Sequence, residues 1–210
     1  MFTQTLQQGT LHALQLVSKL DIFKRAYLAG GTALALQLGH RISVDLDFFT
    51  PEEFDEKVMS MELSQLPQFT EEHKAWRTVL GKIDTTKFSI FYYKSRLLDP
   101  LEHFEGMNIL QPRDIAAMKL HAISQRGVRR DFVDLYFLSK RYTLEEMLGF
   151  YGQKYGILED KLYHILRGMN YFVEADIDDM PEMLVEVDWE KIKEFFNHET
   201  IRLAGTKLDL

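Results

Sequence analysis

The stretch Tyr27 to Phe49, YLAGGTALALQLGHRISVDLDFF, constrains this chain more than any other. Gly30, Gly31 and Thr32 open a short helical pattern. Thr32 reads as an N-cap for the run 33–38, and Gly39 as its C-terminal stop. Asp45 and Asp47 follow in a segment with the pattern of a strand. Residues two apart on a strand point to the same side. Val44, Leu46 and Phe48 are therefore expected to face the core. Both carboxylates face the other way, roughly 7 Å apart along the backbone. Two parallel anions repel one another unless a cation sits between them. Oxygen-only ligation of this kind suits Mg²⁺, which takes one or two protein carboxylates plus phosphate and water. The glycines supply the complementary half. N–H groups at a helix start have no internal acceptor, and glycine lets a phosphate approach them. Separately, a D-x-D is a common solvated strand face and a Gly-Gly a common tight turn. Together, in one short unit, they point to Gly30, Gly31 and Thr32 cradling phosphate beside a metal on Asp45 and Asp47.

A second cluster stands in LQPRDIAAMKLHAISQRGVRRDFVDLYFL, where charge is dense beside an apolar stripe. On a continuous helix Lys119, Arg126 and Arg130 share one face, and Asp134 adjoins it. If Gly127 breaks the helix, a bend brings the two halves together instead. Such cations can hold phosphates and neutralise charge on a leaving group. A nearby aspartate can orient the lysine or accept a proton from the attacking hydroxyl. The bland alternative is a solvated face with an i,i+4 Arg130–Asp134 pair worth about 0.3–0.5 kcal/mol. Asp131 reads as a helix cap. His40, Arg41 and His121 lie near these motifs and are lesser candidates for substrate contact.

Gly30-Gly31, thirteen residues, then Asp45-Leu46-Asp47 resembles the first motif of the DNA polymerase β-like nucleotidyltransferase superfamily. The longer string GGTALALQLGHRISVDLDFF is closer to one branch, the AbiEii/AbiGii nucleotidyltransferase toxins of abortive-infection and type IV toxin–antitoxin systems. Those toxins carry a later motif: K-L-x-A, an arginine, then R-D-x-x-D-L. Here it stands as Lys119-Leu120-His121-Ala122, Arg126, and Arg130-Asp131-Phe132-Val133-Asp134-Leu135. The resemblance spans about residues 25–140. It implies a Mg²⁺-dependent transfer of NMP from an NTP to a hydroxyl, on RNA such as tRNA or on protein. Asp45, Asp47, Lys119 and Asp134 would be catalytic, with Asp131 the alternative to Asp134. Arg126 and Arg130 would bind phosphate. A co-encoded antitoxin and a bacterial cytoplasm are also implied. One departure stands out: polymerase β-like enzymes often place a third carboxylate on a neighbouring strand. The strand Lys87 to Lys94 has none, and Asp84 and Asp99 lie outside its ends.

The remaining sequence sets limits. The chain has 210 residues, 46% hydrophobic, enough for one sizeable core or two small lobes. It has no cysteine, which excludes disulfides, zinc–thiolate sites and thiol nucleophiles. No run is long and apolar enough to span a bilayer, and no signal pattern opens the chain. A net charge of −7 argues against general nucleic-acid binding, though Lys119 to Arg130 is a local basic patch. The hydroxyls of Ser89, Ser124 and Ser139 have no histidine pattern around them, which argues against a serine hydrolase.

The expected fold is α+β. A polymerase β-like mixed sheet with flanking helices occupies 1–105, and a helical lobe with the Lys/Arg/Asp cluster occupies 106–210. Residues 4–25 read as a helix, 26–29 as a strand, and Thr50-Pro51-Glu52-Glu53 as the capped start of a helix to Leu66. Strands are expected over 78–84 and 87–97, joined by Asp84-Thr85-Thr86. Helices follow from Pro112, with Thr143 and Glu146 forming a capping box. Two rivals remain open: a D-x-D glycosyltransferase, and a catalytically silent nucleotide-binding or interaction module.

Overall fold

A computed structural model describes residues 1–156 and 158–207. It divides into two compact units, residues 1–95 with 100–111, and residues 96–99 with 112–210.

The first unit is built on a seven-stranded mixed sheet of order β3-β4-β5-β2-β1-β7-β6. Its strands are β1 (Tyr27–Leu28), β2 (Leu46–Thr50), β3 (Phe69–Ala75), β4 (Thr78–Ile83), β5 (Thr86–Tyr92), β6 (Glu102–Phe104) and β7 (Met107–Ile109). β2 runs antiparallel to β1 and parallel to β5. β7 lies parallel to β1. Its helices are α1 (Gln8–Val17), α2 (Gly30–Leu38) and α3 (Glu56–Leu63), with short 3₁₀ turns at Thr3–Thr5 and Asp21–Phe23. The side-chain period of two decides what β2 buries. Leu46 and Phe48 are fully buried, and Phe48 meets Phe23 at 5.1 Å and Phe88 at 5.7 Å between ring centres.

Several expectations change. The helix expected over 4–25 is a ten-residue α1 between 3₁₀ turns. Thr50 is no helix cap: it is the last residue of β2, paired with Tyr92. The cap of α3 is Asp55, whose carboxylate accepts from Lys57 N (2.8 Å) and Val58 N (3.0 Å). The division expected at 105/106 falls inside the β6–β7 hairpin. β7 pairs with β1, so the sheet unit continues through Gln111. Asp84 does sit at the β4–β5 turn, with φ 52°, a left-handed conformation that aspartate tolerates.

The second unit is helical: α4 (Pro112–Gln125), α5 (Arg129–Leu138), α6 (Leu144–Tyr155), α7 (Glu159–Met169), α8 (Val173–Ile177) and α9 (Trp189–Lys207). α4 packs against α5, α6 and α7. Gly127, with φ 53°, separates α4 from α5, so the basic residues do not share one continuous helix face. The capping box at the start of α6 is complete: Glu146 N donates to Thr143 Oγ1 (3.2 Å) and Thr143 N to Glu146 Oε2 (2.7 Å). Of the aromatic residues beyond 145, Phe150, Tyr151 and Phe196 are buried, Phe172 and Phe195 are half-buried, and Tyr163 and Tyr171 are exposed. Phe132 meets Phe172 at 5.0 Å and Phe196 at 5.3 Å between ring centres.

A buried ion pair anchors segment 96–99. Lys154 and Asp114 have fully buried side chains and meet at 2.7 Å. Asp114 also accepts from Leu98 N (3.1 and 3.0 Å) and Asp99 N (3.3 Å), and Lys154 donates to Arg96 O (2.9 Å). Every charge there has its partners, which is what lets it stay buried. Among the described residues no helix is long and apolar enough to cross a membrane.

Close helix packing gives a stability test. A Cβ on Gly168 of α7 would stand 2.6 Å from the carbonyl oxygen of Ile123, whereas one on Gly149 of α6 meets nothing within 4 Å. Gly168→Ala should lose about 1–3 kcal/mol by overpacking. Gly149→Ala should gain about 0.5–1 kcal/mol from helix propensity. Urea titrations of the two variants should therefore move in opposite directions.

Candidate active site

The sheet unit brings the glycines and one acid together through backbone bonding. Ala29 N donates to the Asp47 carbonyl (2.9 Å), ending β1 and beginning α2. The helix starts at Gly30, with Ala29 in the cap position. Gly30 has φ 63°, which glycine adopts without steric cost. A Cβ there would stand 3.1 Å from Asp47 Oδ2, so the absent side chain is the space into which that carboxylate points. Helix N–H groups and a carboxylate oxygen thus share one small region, with the positive end of the helix dipole toward it.

Thr32 is not the cap. Its hydroxyl is buried and donates to the Asp45 carbonyl or to Ser43 Oγ (2.8 Å), tying α2 to the incoming strand. What Thr32 can offer to a phosphate is its backbone. Gly31 has a different neighbour: a Cβ there would clash at 2.2 Å with a guanidinium nitrogen of Arg41. Arg41 is itself buried and donates to Ile42 O (3.0 Å). A cation therefore lies against the second glycine, which the spacing alone only hinted at.

Asp45 lies one residue before β2, and Val44 is exposed rather than in the core. The strand pairing with β5 begins only at Leu46, so the alternation does not extend back to Val44. Asp45 and Asp47 both keep partial solvent access. Asp47 stands opposite Ser89 in the parallel β2–β5 register. Ser89 Oγ donates to Asp47 Oδ1 at 2.6 Å. The two carboxylates are an oxygen-only donor set of the kind Mg²⁺ accepts. Among the described residues no group of three His, Cys, Asp or Glu side chains forms a metal-binding cluster. Asp84 is a turn residue, and Asp99 pairs with Arg113 at 2.8 Å within the helical unit.

In the helical unit Lys119 is held between two acids. Its Nζ meets Asp131 Oδ1 at 2.7 Å and Asp134 Oδ2 at 2.6 Å. All three are buried, at 7%, 0% and 0% exposure. Asp131 is therefore no cap: it sits in the first turn of α5 and faces inward, and the residue before α5 is Val128. Both acids between which the motif left a choice, Asp131 and Asp134, bind the same ammonium. Arg126, in the turn after α4, places Nε 3.5 Å from Asp131 Oδ2. Arg130 is an exposed residue of the first turn of α5. His121 lies on α4 against the rings of Tyr151 and Tyr155. Desolvation, and then Lys161, pushes its pKa below the ordinary histidine value.

Sequence reasoning did not find Ser89 as a partner of Asp47. It lies in an aromatic-rich strand, and only the register of β2 with β5 brings it there. Asp131 was found and misassigned, because a first-turn aspartate is usually solvated.

The architecture is a nucleotidyltransferase fold. The structure of JHP933 from Helicobacter pylori shares it at TM-score 0.56, with 19% identity, covering 95% of this chain and 93% of that one. MenT4, a nucleotidyltransferase toxin from Mycobacterium tuberculosis H37Rv, shares it at TM-score 0.51, with 14% identity, covering 92% and 82%. Those identities speak to the fold alone. In sequence, Uncharacterized protein aq_aa25 of Aquifex aeolicus (strain VF5) is 36% identical over 200 residues, 92% of this chain and 95% of that protein. The family described as "Nucleotidyl transferase AbiEii toxin, Type IV TA system" matches residues 13–99 and 82–202, well beyond the span 25–140 that the motifs cover. The chain belongs to the AbiEii family of nucleotidyl transferase toxins.

The buried cluster yields a direct test. Lys119→Met would leave Asp131 and Asp134 buried without their shared cation. Breaking a buried pair from one side costs about 3–5 kcal/mol. The midpoint of urea unfolding should fall accordingly, with little change in the slope. An unchanged midpoint would show that the acids are solvated.

Proposed function

We propose that the chain is a Mg²⁺-dependent nucleotidyltransferase. It moves an NMP from an NTP to a hydroxyl of an acceptor, RNA such as tRNA or protein, and releases pyrophosphate. As a toxin it acts in the cytoplasm and is opposed by a co-encoded antitoxin. The observation that carries this reading is the approach of Asp47 Oδ2 to Gly30, 3.1 Å from where a side chain would begin. It puts an acid beside helix N–H groups at a place with no side chain in the way.

In this mechanism Asp45 and Asp47 would hold the metal, which would supply positive charge against that of the triphosphate. The N–H groups of Gly30, Gly31 and Thr32 take phosphate oxygens at the positive end of α2. The Arg41 guanidinium beside Gly31 adds positive charge at the same place. Lys119 is assigned to the negative charge of the nucleotide, and Asp131 and Asp134 hold its ammonium in one position. Of the two acids, Asp134 is assigned as the one that orients Lys119 or accepts the proton of the attacking hydroxyl, as the second acid of the R-D-x-x-D motif. Arg126 and Arg130, both exposed, supply phosphate contacts.

The test is transfer of label from α-labelled NTPs, with Mg²⁺, to total RNA or to protein. Asp47→Ala should reduce transfer by about 10²- to 10³-fold, the size expected for losing one preorganised electrostatic group. Lys119→Ala should do the same, assayed at a temperature where circular dichroism shows it folded. Wild-type protein that binds NTP and labels no acceptor would favour a silent binding module. Labelling only from a nucleotide sugar would favour a glycosyltransferase.

A further inference from the structure

We infer that Ser89 is a positioning residue for Asp47: its hydroxyl decides which oxygen of that carboxylate faces the start of α2. This rests on the two-carboxylate metal site proposed above.

A carboxylate turns easily about its last torsion, whose preference is broad. Asp47 keeps partial solvent access, so packing alone does not lock it. Ser89 does. It lies directly opposite Asp47 on β5, and β5 is itself held on both sides, by Leu80 of β4 and Asp47 of β2 in register with Ser89. The hydroxyl is buried on that rigid strand and donates its only proton to Asp47 Oδ1 at 2.6 Å, the short distance of a charge-assisted bond. With Oδ1 engaged, Oδ2 is turned toward the gap at Gly30. A donor to one oxygen leaves the other as the oxygen offered to a cation. Ser89 also keeps the local charge at that of two carboxylates, because it orients Asp47 without adding an anion.

The closing experiment is Mn²⁺ binding to the full chain, followed by the loss of the free-ion electron paramagnetic resonance signal. Partners one step out from a metal ligand are worth about 10- to 100-fold in metal affinity. Ser89→Ala should weaken Mn²⁺ binding by that factor. Ser89→Thr, which keeps the hydroxyl, should restore binding to within about threefold, whereas a role in strand packing alone predicts no such rescue. Asp47→Ala should abolish binding. If Ser89→Ala binds Mn²⁺ like wild type while Asp47→Ala does not, the role of Ser89 is overturned and the two-acid site stands. Equal weakening in the alanine and threonine variants also overturns it. If Asp47→Ala binds like wild type, or the wild-type chain binds no Mn²⁺, the metal-site reading fails and this inference fails with it.

Discussion

One backbone hydrogen bond joins the glycine helix start to the acid-bearing strand, the donation from Ala29 N–H to the Asp47 carbonyl. It extends the β1–β2 pairing by one residue, to the position from which α2 starts. At that contact residue 30 has a left-handed backbone, and a Cβ on it would crowd Asp47 Oδ2 at 3.1 Å, so glycine is the residue that fits. The helix dipole then points at a carboxylate by construction. Thr32 reinforces the joint from the other side through the Asp45 carbonyl, and Arg41 fills the flank at Gly31. The start of α2 and the acid-bearing segment are therefore joined by direct contacts on both sides.

The helical unit is organised on buried charge, in two different ways. Lys154 and Asp114 balance one another, and the remaining polar atoms are taken by the backbone of residues 96–99. Such a pair holds a strap in place and offers nothing outward. In the Lys119 cluster one buried ammonium meets two buried carboxylates, and a second cation, Arg126, reaches Asp131 from the surface. Asp131 Oδ2 is buried without a hydrogen-bond partner, and Arg126 approaches it only at 3.5 Å, from a side chain that is mostly exposed. The two clusters thus differ in access: the first is sealed on both sides, whereas the second is joined by a mostly exposed arginine.

The parts legible in the sequence were those governed by local rules. The D-x-D, the glycine pair, the Gly39 stop with its left-handed φ of 70°, and the Thr143–Glu146 box all follow from the chemistry of a few adjacent residues. β3 was not legible: FTEEHKA is an edge strand, exposed along nearly its whole length, so it carries no apolar alternation to read. β6 and β7 are three residues each, too short for a period, and missing them displaced the lobe boundary. Thr50 looked like a cap because Pro51 and two glutamates follow it. The longer-range pairing with Tyr92 outweighed that local preference. The inward turn of Asp131 and the Ser89–Asp47 bond depend on contacts between elements, which no spacing along the chain encodes.

The fold and family place the D-x-D in a nucleotidyltransferase rather than a glycosyltransferase setting. The silent-module rival drew its strength from a missing third acid, and the charge at the site weakens that argument. Mg²⁺ gives up its water reluctantly and is commonly held by one or two carboxylates, with substrate phosphates completing the shell. Two acids match the charge of one such ion. A third would add an anion that repels the triphosphate unless a further cation came with it. Where the neighbouring strand offers a neutral hydroxyl instead, the carboxylate is still oriented and the phosphate is not opposed. The lack of a third acid on the neighbouring strand is therefore compatible with the proposed two-carboxylate site.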